Sequence, residues 1–478
     1  MASSRKLKRS NAELIDLPAH VRVRLQSVLQ RGDRLLLGLS GGIDSVVLLD
    51  VLARLAAPLH FKLEALHVNH QLSAHAAAWA QFCRARCADL GVRCKVVKVE
   101  VARGDSVERA ARDARYAALR AGTADWIVLA HNADDQAETV LLQLLRGAGV
   151  KGLAAMPFMA GDSSLRATNR PIAPLLRPLL DVPRARIEQY AAANNLKWIE
   201  DESNTDTTYT RNWLRHELLP RLEKRVPGYR ATLVRAASHF GEAAELLDAL
   251  ARIDAGDALA SGTLTLEQVR QLTPARAKNL LRFVISEHGW AMPDADSLNE
   301  ALRQAVGASA DARVRVNLGE CELRRQGAVI HLLEREVARA RGDHDIVTWE
   351  GQRTLHLPGL GGVLTMTPRR GAGLSIARLQ SARVTVRVRA GGERLQPDAT
   401  RPTRTVKNLL QEARVPAWER ERLPCIYSGD LLACVPGVAT DHRFSGRRGE
   451  PTVLPAWRVG RRGDEHIRRV ERFPCNLS

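Results

Sequence analysis

The 478-residue sequence lacks several features that would place it in a familiar class. Its seven cysteines are odd in number and form no C-x-x-C pair. This argues against a disulfide framework, a cysteine zinc site and a cysteine-held iron–sulfur cluster. No apolar segment is long enough to span a bilayer, and the basic start MASSRKLKRSNAELIDL has neither the apolar core nor the cleavage site of a secretory signal. We therefore expect a protein of the reducing cytoplasm.

Acidic residues are too few to balance the basic ones. The chain has 71 Lys and Arg against 53 Asp and Glu, a formal net charge of +18. Such an excess suits a polyanionic partner, nucleic acid before a membrane, but a solvated basic surface explains it equally well. The charge becomes informative only beside a site that needs a nucleic-acid substrate.

One turn between a strand-like run and a helix-like run carries the clearest chemistry. It consists of Ser40, Gly41, Gly42, Ile43, Asp44 and Ser45. A strand that turns into a helix directs free backbone N–H groups and the helix dipole at one spot, which suits a phosphate. The two glycines allow positive φ, the serines add donors, and Asp44 can hold a divalent cation beside phosphate oxygens. The lysine of the common G-x-x-x-x-G-K-[ST] loop is absent here, so this is another type of nucleotide loop.

The first part of the chain alternates strand-like and helix-like segments. The strand-like ones are 34–39, 62–69, 94–99 and 126–131, and the helix-like ones are 45–56, 74–90, 107–121 and 134–146. This alternation predicts an α/β fold with a parallel sheet covered by helices on both faces. Ligands of such sheets lie at the carboxyl ends of the strands, where Ser40, the HVNH segment and His131 fall.

The rest of the chain, at a length that predicts several domains, divides less sharply. We predict a basic arm over 1–22, an α/β domain over 23–220 whose last part covers its active face, a mostly helical domain over 221–345 with two short strands in 312–334, a small α+β domain over 346–450 and an Arg-rich tail over 451–478.

A second group of candidate residues, HNADDQAET, lies where a strand ends and a helix begins. Asp135 and Glu138 are three residues apart, so their carboxylates can share one face of the first helical turn. Acids at a helix start also simply favour the dipole, but three of them with His131 at the strand end favour a functional cluster. The cluster offers a site for a cation, either Mg²⁺ or an ammonium group, and His131 could handle a proton or contact a phosphate.

Three weaker segments add candidates. Asn69 lies in HVNH, which could border a nucleotide pocket or form a satisfied polar strand end. Arg112 and Arg115 share a helix face, which suits phosphate but is by spacing alone more typical of a solvated surface. A polar stretch with a basic helix start carries Asn204, Arg211, Asn212 and Arg215, a common pattern and therefore weak evidence.

Taken in order, these segments resemble the tRNA(Ile)-lysidine synthetase family of PP-loop ATP pyrophosphatases. The matching stretches are SGGIDS, HVNH, RDARY, HNADDQAET, RPLL at 177–180, DESN with YTRNWLRHELLP, GGER at 391–394 and VKNLLQEARVPAWERERLP at 406–424. SGGIDS alone would indicate only the superfamily, whereas the later stretches make the resemblance specific. It covers essentially the whole chain.

The resemblance implies a ligase that acts on the wobble cytidine of the isoleucine tRNA with anticodon CAU. ATP, with Mg²⁺, would adenylate the C2 oxygen of the base and release pyrophosphate. The side-chain amine of free L-lysine would then displace AMP to give lysidine. The 23–220 domain would be the PP-loop ATP-binding domain, and the later domains would bind tRNA.

The resemblance also implies roles for residues. Asp44, His131, Asp135 and Glu138 would be catalytic, with Asp44 holding the metal. ATP would contact Ser40, Gly41, Gly42, Ile43, Asp44, Ser45, Asn69, Arg112 and Arg115. Lysine or tRNA would contact Asp135, Glu138, Asn204, Arg211, Asn212 and Arg215, and tRNA alone Arg394, Lys407 and Arg420. After HVNH the family continues with Gly-Leu-Arg, where this chain has Gln71-Leu72-Ser73, so we place no site residue there.

Three other functions compete with this interpretation. A PP-loop tRNA thiolase would share the loop, the charge and the sheet, but usually needs a cysteine pair. An amide-forming ATP pyrophosphatase acting on a small metabolite would leave the charge and the C-terminal domain unexplained. A catalytically silent tRNA-binding protein is disfavoured by the intact Asp44, His131, Asp135 and Glu138. The sequence leaves the oligomeric state open, a homodimer included.

Overall fold

The computed structural model describes residues 16–100, 107–161, 173–200, 207–208, 210–256, 263–309, 312–335, 346–413, 415–420 and 422–459. The chain divides into two compact units. Of the described residues, those within 16–163, 172–256 and 274–283 belong to the first unit, and those within 257–273 and 284–459 belong to the second.

A six-stranded sheet forms the centre of the first unit, in the order β3-β2-β1-β4-β6-β5. Its strands are β1 (Arg34–Gly38), β2 (Lys62–Asn69), β3 (Arg93–Lys98), β4 (Trp126–Val128), β5 (Met159–Ala160) and β6 (Leu175–Leu176). All neighbours pair in parallel except β5, which is antiparallel to β6. The prediction of a mostly parallel sheet is confirmed.

Helices follow the strands. They are α1 (Leu17–Gln26), α2 (Ile43–Ala56), α3 (Ala76–Asp89), α4 (Val107–Arg120), α5 (Ala133–Leu145), α6 (Val150–Leu153), α7 (Arg184–Ala193), α8 (Thr210–Trp213), a π-helical turn (Leu214–Leu218), α9 (Leu219–Arg225) and α10 (Tyr229–Ala255). The first four strand-to-helix alternations lie within a few residues of the predicted segments.

The central strand and the helix after it form the core of this unit. Leu35, Leu36 and Leu37 of β1 are all buried, as expected for a parallel strand covered on both faces. Helix α2 buries an apolar run from Val46 to Leu49 against the sheet. Burial of these side chains holds the turn between β1 and α2 in place, at roughly 1.5–3 kcal/mol per large apolar side chain.

The two glycines of that turn have different backbone conformations. Gly41 has φ +92°, and a Cβ there would lie 2.6 Å from Ile199 Cδ1 and 3.2 Å from Cys83 Sγ. Gly42 has an extended φ of −71° at the start of α2. The expectation of positive φ at both glycines is therefore correct only for Gly41, because the chain must enter the helix from an extended residue.

The second unit contains four antiparallel sheets. Its strands are β7 (Thr263–Thr265), β8 (Val314–Leu318), β9 (Cys321–Gln326), β10 (Val329–Glu334), β11 (Val347–Thr348), β12 (Thr354–Leu357), β13 (Gly362–Arg370), β14 (Leu374–Ser375), β15 (Val384–Val388), β16 (Arg394–Leu395), β17 (Arg404–Thr405), β18 (Pro424–Ser428), β19 (Leu431–Val435), β20 (Ala439–Thr440) and β21 (Pro451–Val459). The sheet orders are β7-β10-β9-β8, β11-β15-β18-β19-β20, β12-β13-β21-β14 and β16-β17.

Helices complete this part of the chain. They are α11 (Leu266–Gln271), α12 (Pro274–Glu287), α13 (Ala295–Gly307), α14 (Ile376–Leu379), α15 (Val406–Glu412) and α16 (Ala417–Arg420), with 3₁₀ turns at Pro358–Leu360 and His442–Phe444. The two strands predicted in 312–334 are three, because a tight turn at Gly319, with φ +86°, divides the first of them.

Two predicted boundaries cut through elements of the structure. Residue 22, the predicted end of the basic arm, lies inside α1, whose Leu17, Val21 and Leu25 are buried. Residues 451–459, predicted as the start of a solvated tail, form β21 and pair with β13 over nine residues. Two prolines give this segment the look of a loop, yet its Val453 and Trp457 are buried. The other predicted boundaries stay predictions. None of the described helices has the length and apolar character needed to cross a membrane.

The turn geometry predicts unequal effects of two neighbouring substitutions. Gly41→Ala should lower the free energy of unfolding by roughly 2–4 kcal/mol, because the residue has a strained backbone and its methyl group meets Ile199. Gly42→Ala is the matched control, since the atom nearest to its new Cβ is Ser40 Oγ at 3.6 Å; it should cost about 1 kcal/mol or less. Urea denaturation of the full chain measures both, and equal losses would contradict the assigned conformations.

Candidate functional site

Polar residues gather at the carboxyl edge of the first unit's sheet. Ser40 follows β1, Asn69 ends β2, His131 follows β4, and Arg177 comes directly after β6. Because β2, β1, β4 and β6 are consecutive neighbours in the sheet, these residues lie along one edge. The predicted convergence of the first three is thus observed.

The Ser40–Ser45 turn is closed by its own hydroxyl groups. Ser45 Oγ donates to the Gly42 carbonyl oxygen at 2.9 Å and accepts from the Gly41 N–H at 3.1 Å. Ser40 Oγ lies 3.1 Å from Ser45 Oγ and accepts from the Gly42 N–H at 3.4 Å. No side chain caps the start of α2. Its first N–H groups therefore remain available to an anion, which a helix start favours.

Asp44, in the first turn of α2, contacts two residues from distant parts of the chain. Its Oδ1 accepts from Asn132 Nδ2 at 2.9 Å, and its Oδ2 lies 3.5 Å from Arg184 Nη1. Burial raises the pKa of Asp44 to about 6, because the partial compensation from Arg184 and Asn132 does not offset desolvation and the nearby Asp135. The carboxylate is thus ionised at neutral pH and incompletely compensated.

This environment suits a cation that arrives with a nucleotide. A magnesium ion in such a complex needs only one or two carboxylates, since phosphates and waters supply the other ligands. Within the described residues, no group of three or more His, Cys, Asp and Glu side chains is placed to hold a metal. Asp44 therefore fits a metal ion that arrives with the nucleotide, and the described residues offer no site in which protein side chains alone would hold a metal ion.

Asn132 joins the Asp44 region to the acidic start of α5. While its Nδ2 donates to Asp44, its Oδ1 accepts from the backbone N–H groups of Asp134 and Asp135 at 2.9 and 3.1 Å. Asp135 completes a capping box by accepting from the Asn132 N–H at 3.1 Å. The same residues therefore start the helix and fix the distance between two groups of acids.

Two arginines neutralise the acids further along α5. Glu138, fully buried, accepts from Arg211 Nε at 2.8 Å and from Arg215 Nε at 2.6 Å. Asp135 Oδ1 accepts from Arg211 Nη2 at 3.0 Å and Arg215 Nη2 at 3.3 Å. Removing one partner of such a buried network typically costs about 3–5 kcal/mol. Arg215 lies in the π-helical turn, a deviation that often marks functional sites.

A cavity of about 340 Å³ opens beside this network. Its lining combines acids and bases: Asn132, Asp134, Glu138, Arg184, Arg215, His216, Leu219 and Arg230. Asp134 accepts from the Arg184 N–H at 2.9 Å and pairs with Arg230. Groups of both signs in one small space suit a zwitterionic ligand of amino-acid size.

His131 lies in a strongly cationic environment. Burial, then Arg177, Arg115, Arg211 and Arg112 in decreasing order, holds its pKa well below the usual range. The imidazole is therefore neutral at physiological pH. Helix α4 carries both Arg112 and Arg115, and the contact of these residues with ATP stays a prediction.

The ligand contacts predicted for Asn69, Asn204 and Asn212 stay predictions. The amide of Asn69 is used by the backbone, since it donates to the Ala76 carbonyl at 3.2 Å and accepts from the Gln71 N–H at 2.8 Å. Its assignment to ATP thus rests on resemblance alone. Asn204 lies outside the described residues, and Asn212 lies in α8 beside Arg211.

The predicted tRNA contacts lie in the second unit. Arg394 and Lys407 are exposed, and Arg394 Nη2 donates to the Thr403 carbonyl oxygen at 3.3 Å. Arg420 Nε donates to the Val415 carbonyl oxygen at 2.8 Å. Burial and two neighbouring arginines lower the pKa of Arg420, which indicates a locally positive surface. Such a surface suits a phosphate contact.

The sequence analysis assigned no role to four residues of the site: Asn132, Arg177, Arg184 and Arg230. It also did not foresee that Asp134 contacts Arg184 and Arg230. Asn132 carried a usable signal, because Asn followed three residues later by an acid is typical of a capped helix start. Arg184 and Arg230 carried none, and Arg177 carried only its place in the RPLL stretch, which gave it no role. They reach the site from β6, α7 and α10, and only the tertiary fold brings these elements together.

Three family models match separate parts of this chain. Residues 17–222 match the family model of the PP-loop domain, residues 264–330 the TilS substrate binding domain, and residues 384–457 the TilS substrate C-terminal domain. Among solved structures, the U34-tRNA thiolase NcsA from Methanococcus maripaludis, with its [4Fe-4S] cluster, aligns with 47% of this chain and 78% of its own, at 22% identity and a TM-score of 0.40.

Two curated relatives span nearly the full length. The tRNA(Ile)-lysidine synthase of Nitrosomonas europaea is 40% identical over 438 residues, covering 91% of this chain and 93% of the relative. That of Azoarcus sp. is 41% identical over 429 residues, covering 89% and 91%. The carboxyl edge of the sheet carries the SGGIDS turn and the capped acidic helix, and both relatives match over about nine-tenths of the chain. The chain therefore belongs to the tRNA(Ile)-lysidine synthase family.

Proposed function

We propose that this enzyme converts the wobble cytidine of the CAU-anticodon isoleucine tRNA to lysidine, using ATP and free L-lysine. The observation that carries the proposal is the arrangement at the sheet edge. Asp44 lies in a turn that suits phosphate and accepts a hydrogen bond from Asn132. Asn132 in turn caps the helix that carries the buried acid–arginine network. This arrangement supports adjacent sites for a nucleotide and an amine substrate. Because tRNA and ATP are cytoplasmic, we expect the reaction there.

The first step we propose is adenylation of the base. The C2 oxygen of cytidine attacks the α-phosphorus of ATP, the bond from that phosphorus to the β-phosphate bridging oxygen breaks, and pyrophosphate leaves. Ser40, Ser45 and the free N–H groups at the start of α2 would bind phosphate oxygens. Asp44 would hold Mg²⁺, which supplies neutralisation of phosphate charge. His131, Arg112 and Arg115 would face the nucleotide.

The second step we propose is displacement of AMP by lysine. The side-chain ammonium gives one proton to water, the resulting amine attacks C2, and the C2–O bond breaks so that AMP leaves with that oxygen while the new C–N nitrogen gives a second proton to water. Asp135 and Glu138 would attract the cationic side chain of the incoming lysine. Both are paired with Arg211 and Arg215 here. An entering ammonium group would therefore release a guanidinium, which could then hold the lysine carboxylate or a tRNA phosphate.

The cavity beside Glu138 supports this place for lysine. Asp134 and Glu138 offer negative charge, and Arg184, Arg215 and Arg230 offer positive charge to a carboxylate. The second unit would bind the body of the tRNA through Arg394, Lys407 and Arg420, with phosphate contacts that position without specifying sequence. An anticodon loop allows a base to leave its stack at low cost.

The direct test is a reaction with defined products. The protein is incubated with ATP, Mg²⁺ and unmodified isoleucine tRNA, with and without lysine, and the RNA is digested for nucleoside mass spectrometry. We expect a lysine adduct on cytidine only when lysine is present. A sulfur adduct would support a thiolase, and ATP cleavage that does not depend on tRNA would support an enzyme of small metabolites.

The lysine site predicts a selective kinetic defect. Asp135→Asn and Glu138→Gln should each raise KM for lysine at least about tenfold, because a lost charged contact costs roughly 1.5–3 kcal/mol. KM for ATP should change little. Glu217→Gln is the matched control, since Glu217 is an exposed acid paired with Arg221 on the same helical segment.

Thermal melting of each variant checks that it folds, which matters for the fully buried Glu138. Asp135 is more accessible, so Asp135→Asn keeps the test open if Glu138→Gln unfolds. A folded variant with an unchanged KM for lysine would exclude that residue from the lysine site.

A further inference from the structure

Arg177, from the RPLL stretch, has a role that none of the steps above assigns. It is only 5% exposed at the carboxyl end of β6. Its Nη1 donates to the Pro157 carbonyl oxygen at 2.9 Å, but its buried Nε has no hydrogen-bond partner. Across the described residues, no carboxylate pairs with it. A buried guanidinium in this state is costly, and a bound anion is one of the partners that would satisfy it.

Arg177 is not alone in this respect. The buried Nε of Arg115 and the buried Nδ1 of His131 also have no partner. Besides burial, Arg177 and Arg115 both lower the pKa of His131, and His131 and Arg177 follow the paired strands β4 and β6. Three unsatisfied polar groups from β6, α4 and the end of β4 therefore converge on one region.

Tyr116 lies among the cationic side chains of this region. Although burial opposes it, the positive charges of Arg112, Arg177 and Arg115 hold the pKa of Tyr116 below its usual value. The guanidinium carbons of Arg112 and Arg115 lie 5.7 and 5.6 Å from its ring centroid. A ring face and a hydroxyl oxygen offset part of the repulsion between guanidinium groups, but they supply no negative charge. The region keeps a positive charge that an anion would neutralise.

Another buried arginine of the chain shows what a purely structural role looks like. Arg325 is 4% exposed and also has no carboxylate partner among the described residues. Its Nε donates to the Gly327 carbonyl at 2.8 Å, and its terminal nitrogens donate to the carbonyls of Ala305, Ala308 and Ser309 at 2.8–3.1 Å. Backbone oxygens thus satisfy Arg325, whereas Arg177 keeps a bare donor.

We propose that Arg177, together with Arg115 and Tyr116, forms a pocket that binds a phosphate group of a substrate. The inference rests on the proposed function, because both ATP and tRNA bring phosphates to this edge of the sheet. Phosphate suits the pocket because its oxygens accept several hydrogen bonds at once and match the guanidinium fork. Arg177 is a binding residue in this pocket, and the polyphosphate of ATP is its expected ligand.

Binding of inorganic pyrophosphate to the full-length protein tests the pocket without requiring catalysis. Pyrophosphate should raise the melting temperature of the wild type, because a ligand that binds only the folded state stabilises it. In Arg177→Gln this rise should largely disappear, and KM for ATP should increase at least about tenfold, as expected for a lost charged contact. Arg177→Lys should retain part of the rise in melting temperature and show a smaller increase in KM for ATP, since lysine keeps the charge but lacks the planar guanidinium group.

Arg325→Gln is the control. It should lower the melting temperature itself, because it removes a set of satisfied buried hydrogen bonds, yet keep the full pyrophosphate response. A parallel titration with the anticodon stem–loop RNA separates the two sources of phosphate. Loss of RNA affinity in Arg177→Gln with an unchanged pyrophosphate response would assign the pocket to the RNA backbone.

An unchanged response to both pyrophosphate and RNA in folded Arg177→Gln would overturn the proposal. Should that variant fail to fold, Arg177→Lys decides by the same two titrations. Failure of the proposed function is separable, because these titrations need neither lysine nor product. Intact pyrophosphate binding without lysidine formation would reject the reaction and leave the pocket standing.

Discussion

The side chain of Asn132 is the connection on which the site depends. Its amide nitrogen holds Asp44, and its amide oxygen caps α5, so one residue sets the distance between the nucleotide turn and the acidic helix. Both of these elements also rest on the buried strands β1 and β4. The geometry is therefore fixed before any substrate arrives, which is what transfer between two bound reactants requires.

Charge is distributed around this connection in two ways. On one side, Glu138 and Asp135 are paired with Arg211 and Arg215, so that region is close to neutral and opens to a cavity with groups of both signs. On the other side, Arg115 and Arg177 lie near a neutral His131, and no acidic residue in the described part of the chain pairs with either arginine. The first arrangement suits a zwitterion and the second an anion. The enzyme we propose uses one zwitterion, lysine, and two polyanions, ATP and tRNA.

The sequence predicted the parts of the fold that local patterns determine. Alternating apolar segments predicted β1 to β4 and α2 to α5, and the SGGIDS and HNADDQAET segments placed Asp44 and Glu138 at the sheet edge. It did not predict Arg177, Arg184 or Arg230, because no local pattern distinguishes a surface arginine from one that a distant element buries. It also missed β21, whose prolines suggested a loop although its pairing with β13 comes from across the chain. Likewise, Gly41 and Gly42 look alike in sequence but differ in φ.

The central claim is that the triphosphate of ATP binds at the Ser40–Ser45 turn, with Asp44 beside it. A crystal structure with a non-hydrolysable ATP analogue and Mg²⁺ tests this claim most directly. We predict phosphate oxygens at the start of α2 and the metal bound to an Asp44 oxygen. Density for the triphosphate elsewhere on the protein, with this turn empty, would contradict the account.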